Sequence, residues 1–313
     1  MKFHREEEIS RKAFIYPGQG SQFVGMAKDL YENYTEVRNI YTKANEILGF
    51  DLAKISFEGP EETLKQTRIT QPAIFLHSAS LIHLLWKKEL QPDMAAGHSL
   101  GEYSALYSAG AFTFEDALRL VKIRAELMQK AGETNPGTMA AIIGLDTEKV
   151  KPVCEEASAF GVVQVANVNS PVQIVISGSI EGVEKAVELA RAKRAKKAVP
   201  LVVSGAFHSP LMESARDGLE KALNEVEVKE ARFPVYTNVD ANPVTKPDDI
   251  RYYLSQQLTS PVRWLETIQN MIRDGAGEFF EIGPGTVLTG LLRRINREVA
   301  GKTVGSLENL EKI

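Results

Sequence analysis

A serine between two glycines, in Gly97-His98-Ser99-Leu100-Gly101, is the arrangement in this chain best suited to covalent chemistry. It matches the G-x-S-x-G pattern, in which a strand turns sharply into a helix and the serine hydroxyl stands exposed at the apex. The glycines leave the turn free of Cβ atoms on either side. The unpaired N–H groups of the helix's first turn point to where an oxyanion would form. Read alone, the pentapeptide equally fits a tight turn that contains a serine.

A nucleophilic serine needs a base, and the five histidines are His4, His77, His83, His98 and His208. His4 lies in a charged N-terminal segment. His77 and His83 sit in the apolar run from 73 to 86, where a satisfied or partly exposed helix histidine is expected. His98 adjoins the serine, but neighbours in such a turn point apart. His208 remains, in Ser204-Gly205-Ala206-Phe207-His208-Ser209-Pro210, where an apolar strand (198–203) ends and a helix begins after Ser209. On its own it reads as a helix-capping neighbour or a base; beside Ser99 it is the candidate general base.

These groups need a scaffold that joins residues 99 and 208. Apolar residues 13–16 end in Pro17-Gly18-Gln19-Gly20-Ser21-Gln22, a strand-to-helix connection or a plain turn. Helical patterns follow over 26–34, 36–48 and 71–90, the last stopping before Pro92. Thr113, Glu115 and Asp116 predict a helix with an N-cap and an acidic first turn, running to about Ala131.

Between 137 and 203 the pattern changes. Strand (138–143), helix (146–158), two strands (162–168 and 172–177), helix (181–193) and strand (198–203) spell βαββαβ, the order of a ferredoxin-like unit. After His208 come a helix to about 226, a strand at 235–239, a helix near 260–274, a strand at 278–282, the turn Gly283-Pro284-Gly285 and a helix to about 297. Strands near 13, 93, 235 and 278, each followed by a helix, predict a parallel sheet covered on both faces, with reactive groups at the strands' carboxyl ends. The expected fold class is α/β: a parallel-sheet, α/β-hydrolase-like large domain (12–134 and 206–313) with an inserted ferredoxin-like βαββαβ subdomain (135–205).

With 313 residues, 43% of them hydrophobic and 25% charged, the chain can bury a large core in more than one lobe. A net charge of −4 argues against nucleic acid as a main partner. The single cysteine, Cys154, excludes an internal disulfide and any Cys-rich metal cluster, and it points to a reducing, cytoplasmic setting. Residues 1–12 are charged and lack the apolar core of a signal peptide, and no apolar run reaches the length of a membrane span.

Six runs, in this order, resemble the malonyl-coenzyme A:acyl carrier protein transacylase family. They are Tyr16-Pro17-Gly18-Gln19-Gly20-Ser21-Gln22, Gly97-His98-Ser99-Leu100-Gly101-Glu102-Tyr103, Arg124 within Val121-Lys122-Ile123-Arg124, Ala206-Phe207-His208-Ser209, residues 257–264 from Gln257 to Trp264, and Glu281-Ile282-Gly283-Pro284-Gly285. The resemblance covers about residues 12 to 300. It implies ping-pong transfer of malonyl from coenzyme A, through an ester on Ser99, to the phosphopantetheine thiol of acyl carrier protein in fatty acid synthesis. It implies no organic or metal cofactor, coenzyme A being carried by the substrate.

Carried over residue by residue, the resemblance makes Ser99 the nucleophile and His208 the base. It assigns the oxyanion hole to the backbone N–H groups of Gln19 and Leu100. Arg124 would grip the malonyl carboxylate, its planar fork suiting a bidentate pair; otherwise it reads as a solvated helix arginine. No Asp or Glu declares itself as partner to the histidine, and the resemblance implies the backbone carbonyl of Gln257 instead, a Ser-His dyad. Phe207 follows the malonyl-selective pattern, its ring excluding an α-methyl group; packing at a strand end explains it equally.

Arg191-Ala192-Lys193-Arg194-Ala195-Lys196-Lys197 places five positive charges in seven positions. Lys193, Arg194, Lys196 and Lys197 could receive an acidic carrier protein or coenzyme A phosphates, or simply form a solvated helix end. Two further enzyme readings stand beside the transferase: a serine thioesterase or hydrolase using the same pair, and a polyketide-pathway acyltransferase. The chain order weighs against a hydrolase triad, since His208 is followed by further strands rather than lying late. A non-catalytic binding module is the remaining class.

Overall fold

The computed structural model describes residues 10–313; residues 1–9, which include His4 and most of the charged N-terminal segment, lie outside the described residues. Ten strands occur among the described residues: β1 (Arg11–Tyr16), β2 (Met94–Gly97), β3 (Thr138–Ile143), β4 (Val163–Ser170), β5 (Gln173–Gly178), β6 (Lys197–Pro200), β7 (Val235–Tyr236), β8 (Pro243–Val244), β9 (Ala276–Ile282) and β10 (Ala300–Val304).

Six of them form one sheet in the order β10-β9-β1-β2-β7-β8, parallel throughout except for the edge pair β7 and β8. Helices cover both faces, so the central strands are apolar on both sides. Phe14 and Tyr16 of β1 enter one core, while Ala13 and Ile15 enter the other. The alternation follows the two-residue period of a strand.

The second sheet is antiparallel, ordered β4-β5-β3-β6, and its strands enclose the helices Thr147–Ala157 and Ile180–Ala192 in a ferredoxin-like order. Ala140, Ile142, Ile174 and Ile176 pack beneath those helices. The opposite face, with Met139, Ala141 and Val175, looks into a cleft against the large lobe. The chain leaves and rejoins the large lobe in backbone contact: a Cβ on Gly132 would lie 2.2 Å from the Ser204 carbonyl oxygen. Val168 N–H and Val262 N–H bond across the lobes to Val262 O (2.9 Å) and Ala166 O (2.8 Å).

Several expected elements differ. The strand expected over 198–203 stops at Pro200, and Val202 is wholly exposed. The strand expected over 235–239 has two residues, because the chain turns at once, Thr237 N–H bonding Asn242 O. A 3-10 turn, Pro210–Met212, precedes the helix after His208, its Ser209 cap accepting from Leu211 N–H. Strands β8 and β10 and the helices Pro247–Gln257 and Leu307–Glu311 add to the expected set. The Thr113 cap holds as read, its hydroxyl accepting from Asp116 N–H at 3.1 Å.

Candidate active site

Ser99 stands between β2 and the helix Gly101–Ser108 with φ 51°, a left-handed backbone that non-glycine residues rarely adopt. Sterics enforce the turn. A Cβ on Gly97 would lie 1.8 Å from the Gly101 carbonyl carbon, and one on Gly101 would lie 2.0 Å from Tyr16 O. Gly18 presses the Gln19 loop onto the same elbow, since its Cβ would lie 2.3 Å from His98 O.

The hydroxyl of Ser99 lies 2.8 Å from His208 Nε2, and His208 Nδ1 lies 2.8 Å from the Gln257 carbonyl oxygen. A carbonyl only accepts, so Nδ1 carries the hydrogen and Nε2 is free to accept the serine proton. His208 also has a left-handed backbone, φ 57°. Burial pushes its imidazole down to about 3, the Arg124 charge adding to the effect and the Gln257 carbonyl opposing it. The ring is therefore neutral across the ordinary pH range.

Arg124, on the helix Phe114–Thr134, is fully buried. One terminal nitrogen donates to Gln71 Oε1 at 2.6 Å. The other donates to Ser99 Oγ at 3.0 Å and Gln257 Oε1 at 2.8 Å. Its Nε has no partner. A solvated helix arginine is thereby excluded: this is a desolvated cation touching the reactive hydroxyl and held by neutral groups.

Gln19, Leu100, Phe207 and Met128 line the same cavity, which has a volume of about 400 Å³. Among the described residues, no acceptor takes the N–H of Gln19 or Leu100. Neither amide is therefore engaged by another group of the protein. The arrangement combines a nucleophile, a neutral base, free N–H donors and a buried cation, which is equipment for acyl transfer involving an anionic acyl group. Among the described residues no group of three or more His, Cys, Asp or Glu could hold a metal ion.

Residues 13–309 match the acyl transferase domain family. The malonyl CoA-acyl carrier protein transacylase of Bacillus subtilis is 45% identical over 97% of this chain and 96% of its own length. The protein of the same name from Staphylococcus aureus is 41% identical over 97% and 98%. The chain belongs to the malonyl-CoA:acyl carrier protein transacylase family. It is an acyltransferase, as the six motifs implied. The crystal structure of an acyl carrier protein S-malonyltransferase from Vibrio cholerae superposes with TM-score 0.93 at 43% identity, covering 97% of this chain and 99% of that one. A malonyl-transacylase in complex with its type II PKS acyl-carrier protein superposes with TM-score 0.94 at 41% identity, covering 97% and 98%.

Within this transacylase scaffold the structure brings together Ser99, His208, Arg124, Gln257, Gln19, Leu100 and Phe207. The basic run lies apart, exposed at the end of the helix Ile180–Ala192 and the start of β6, where Lys193 pairs with Glu156 at 3.8 Å. Lys197 pairs in register with Ile143, which pairs with the cavity-lining Gln173. Two strand spacings put Lys197 about 10 Å from the rim.

Four polar residues went unread in the sequence. Asn238 spans the elbow, accepting from Ser99 N–H and donating to Gly97 O, both at 2.6 Å. Gln71 holds Arg124. Gln164 of β4 donates to the carbonyls of His208 (2.8 Å) and Thr259 (3.2 Å), fastening the His208 segment from the small lobe. Glu102 is buried under the elbow, its carboxyl pushed up to about 7 by burial against the pull of Gln257, Asn238 and Arg124. A polar residue inside a run expected to be buried, as at Gln71 in 71–90 and at Asn238 in 235–239, is the signal that could have found those two.

Proposed function

We propose that this chain transfers malonyl from coenzyme A to the phosphopantetheine thiol of acyl carrier protein through a malonyl ester on Ser99. Ser99 Oγ attacks the thioester carbonyl while His208 Nε2 takes the hydroxyl proton. The tetrahedral oxyanion collects the N–H groups of Gln19 and Leu100; loss of one such donor costs about 3 to 4 kcal/mol of transition-state stabilisation. The C–S bond then breaks and the imidazolium returns its proton to the departing coenzyme A thiolate. The carrier thiol enters and the same steps run in reverse. Arg124 pairs with the free carboxylate of the acyl group throughout.

The observation that carries this reading is the convergence of His208 Nε2 (2.8 Å) and Arg124 Nη2 (3.0 Å) on one serine hydroxyl. A hydrolase acting on neutral acyl groups has no use for a buried guanidinium there. Mass spectrometry after incubation with malonyl-coenzyme A tests it. A malonyl adduct is expected on the wild type and none on Ser99→Ala; an equal adduct on both would sink the reading.

Phe207, buried in the cavity wall, fits exclusion of an α-methyl group. Phe207→Ser is expected to raise methylmalonyl use, and unchanged selectivity removes the role. Lys193, Arg194, Lys196 and Lys197 would meet an acidic carrier protein near the cleft. Charge reversal at Lys193 and Arg194 that leaves carrier affinity unaltered at low salt removes that surface. Fatty acid synthesis is the pathway we favour; the likeness to a transacylase seen with a type II PKS carrier protein supports a polyketide carrier as the second reading. A cytoplasmic setting fits Cys154, which is free, with its thiol pushed up to about 12 by burial.

A further inference from the structure

Arg124 needs more than burial to present its fork to a carboxylate, because a guanidinium on a long side chain must be held in one orientation to discriminate. Its Nη2 is held by Gln257 Oε1 at 2.8 Å. The opposite end of that amide, Nε2, donates to Glu102 Oε2 at 2.7 Å and to Ser99 O at 3.0 Å. Glu102 Oε2 also accepts from the backbone N–H of Asn238 at 3.1 Å. That N–H belongs to the main chain and can only donate, so the oxygen it shares with Gln257 acts as an acceptor in either protonation state. The amide of Gln257 is therefore pinned with its nitrogen towards Glu102 and its oxygen towards Arg124. Glu102 is 2% exposed and lies in the first turn of the helix Gly101–Ser108, so the elbow that carries Ser99 also carries this anchor.

We propose that Glu102 is a positioning residue for Arg124, acting through the Gln257 amide, and that it thereby sets the preference for acyl groups bearing a distal carboxylate. Glu102 touches no reacting atom in this scheme. The inference rests on the malonyl reading above. It separates contact from charge: the relay needs an acceptor oxygen at the Oε2 position, whereas a purely electrostatic role needs the negative charge.

Two conservative variants divide these. Glu102→Asp keeps the charge but withdraws the carboxylate from Gln257; Glu102→Gln loses the charge but keeps an acceptor oxygen in place. The quantity to measure is the ratio of kcat/KM for acylation of Ser99 by malonyl-coenzyme A and by acetyl-coenzyme A, which does not depend on the amount of folded enzyme. Glu102→Asp is expected to lower the ratio about tenfold, mainly through the malonyl KM, because the Arg124 contact acts equally in the ground and transition states. Glu102→Gln is expected to stay within about threefold of the wild type, the relay being intact. In a Gln257→Met background, Glu102→Asp is expected to change the ratio no further.

An unchanged ratio in Glu102→Asp, a loss in Glu102→Gln as large as in Glu102→Asp, or an undiminished effect in the Gln257→Met background would overturn the relay while leaving the malonyl reading intact. A wild type that prefers acetyl-coenzyme A would undo the malonyl reading, and the relay with it.

Discussion

The six-stranded sheet places its chemistry at points, where β1 meets the Gln19 loop and β2 meets Ser99, whereas the four-stranded sheet contributes a surface, the open face with Met139, Ala141 and Val175. The large lobe spends backbone strain at Ser99 (φ 51°) and at His208 (φ 57°), which follows the inserted sheet. In the inserted lobe the positive-φ residue other than glycine is Arg194 (φ 65°), in the turn ahead of β6 and outside the cavity wall. Parallel strands end together at one edge of the sheet, so groups from distant segments converge there; an antiparallel sheet offers a wall but no such edge. The small lobe reaches the chemistry only through supports, Gln164 beneath the His208 carbonyl and Asn169 bonded to His98 at 2.8 Å.

The contrast can be tested from its strongest consequence downward. His208→Asn keeps a residue that tolerates the left-handed backbone but removes the base. We expect kcat to fall about 10⁴-fold with little change in melting temperature. A residual rate within tenfold of wild type would mean that another base acts.

The pH profile comes next. With the imidazole pushed down to about 3 by burial and by Arg124, the base stays neutral through the ordinary histidine value of 6.5, so kcat/KM should remain level down to about pH 5. An acid limb near 6.5 would contradict this environment. The same displacement bears on stability. The unfolded chain binds a proton on this ring near 6.5 and the folded chain only near 3. The fold therefore loses stability progressively as pH falls between those values, and above 6.5 this group makes no difference.

A smaller effect is expected from the lobe that only supports. Gln164→Ala should lower kcat about tenfold, the yield of one hydrogen bond to a strained backbone, with the malonyl KM held. If KM rises instead, Gln164 belongs to the binding wall and not to the base. Smallest of all is Ile176→Val, in the core beneath the small-lobe helices. It should cost about 1 kcal/mol of stability in a denaturant titration and leave turnover unchanged. A drop in turnover of its own would show that the wall transmits its packing to the dyad.

What the sequence disclosed follows the same division. The elbow was legible because Gly97 answers a local steric demand, a 1.8 Å approach to Gly101 four positions on that no side chain could survive. The βαββαβ order was legible from periodicity, since one face of each strand is apolar. Arg124 and the Gln257 carbonyl came through likeness to a family and not through pattern, because their partners lie far along the chain. Gln164 and Glu102 were invisible for that reason, with partners 44 to 155 positions away. Strand β10 escaped because Ala300–Val304 is an edge strand with only Val304 buried, which leaves no alternation to read.

One consequence follows from the company Arg124 keeps. Its guanidinium is walled off from water, yet it hydrogen-bonds to two amide oxygens and a hydroxyl and lies over the Tyr103 ring, none of which carries a full charge. The resting protein therefore carries an electrostatic tension that an incoming carboxylate relaxes and an uncharged acyl chain does not. Loading with the anionic group should make the whole molecule harder to melt, so that enzyme awaiting its carrier is sturdier than enzyme awaiting its donor.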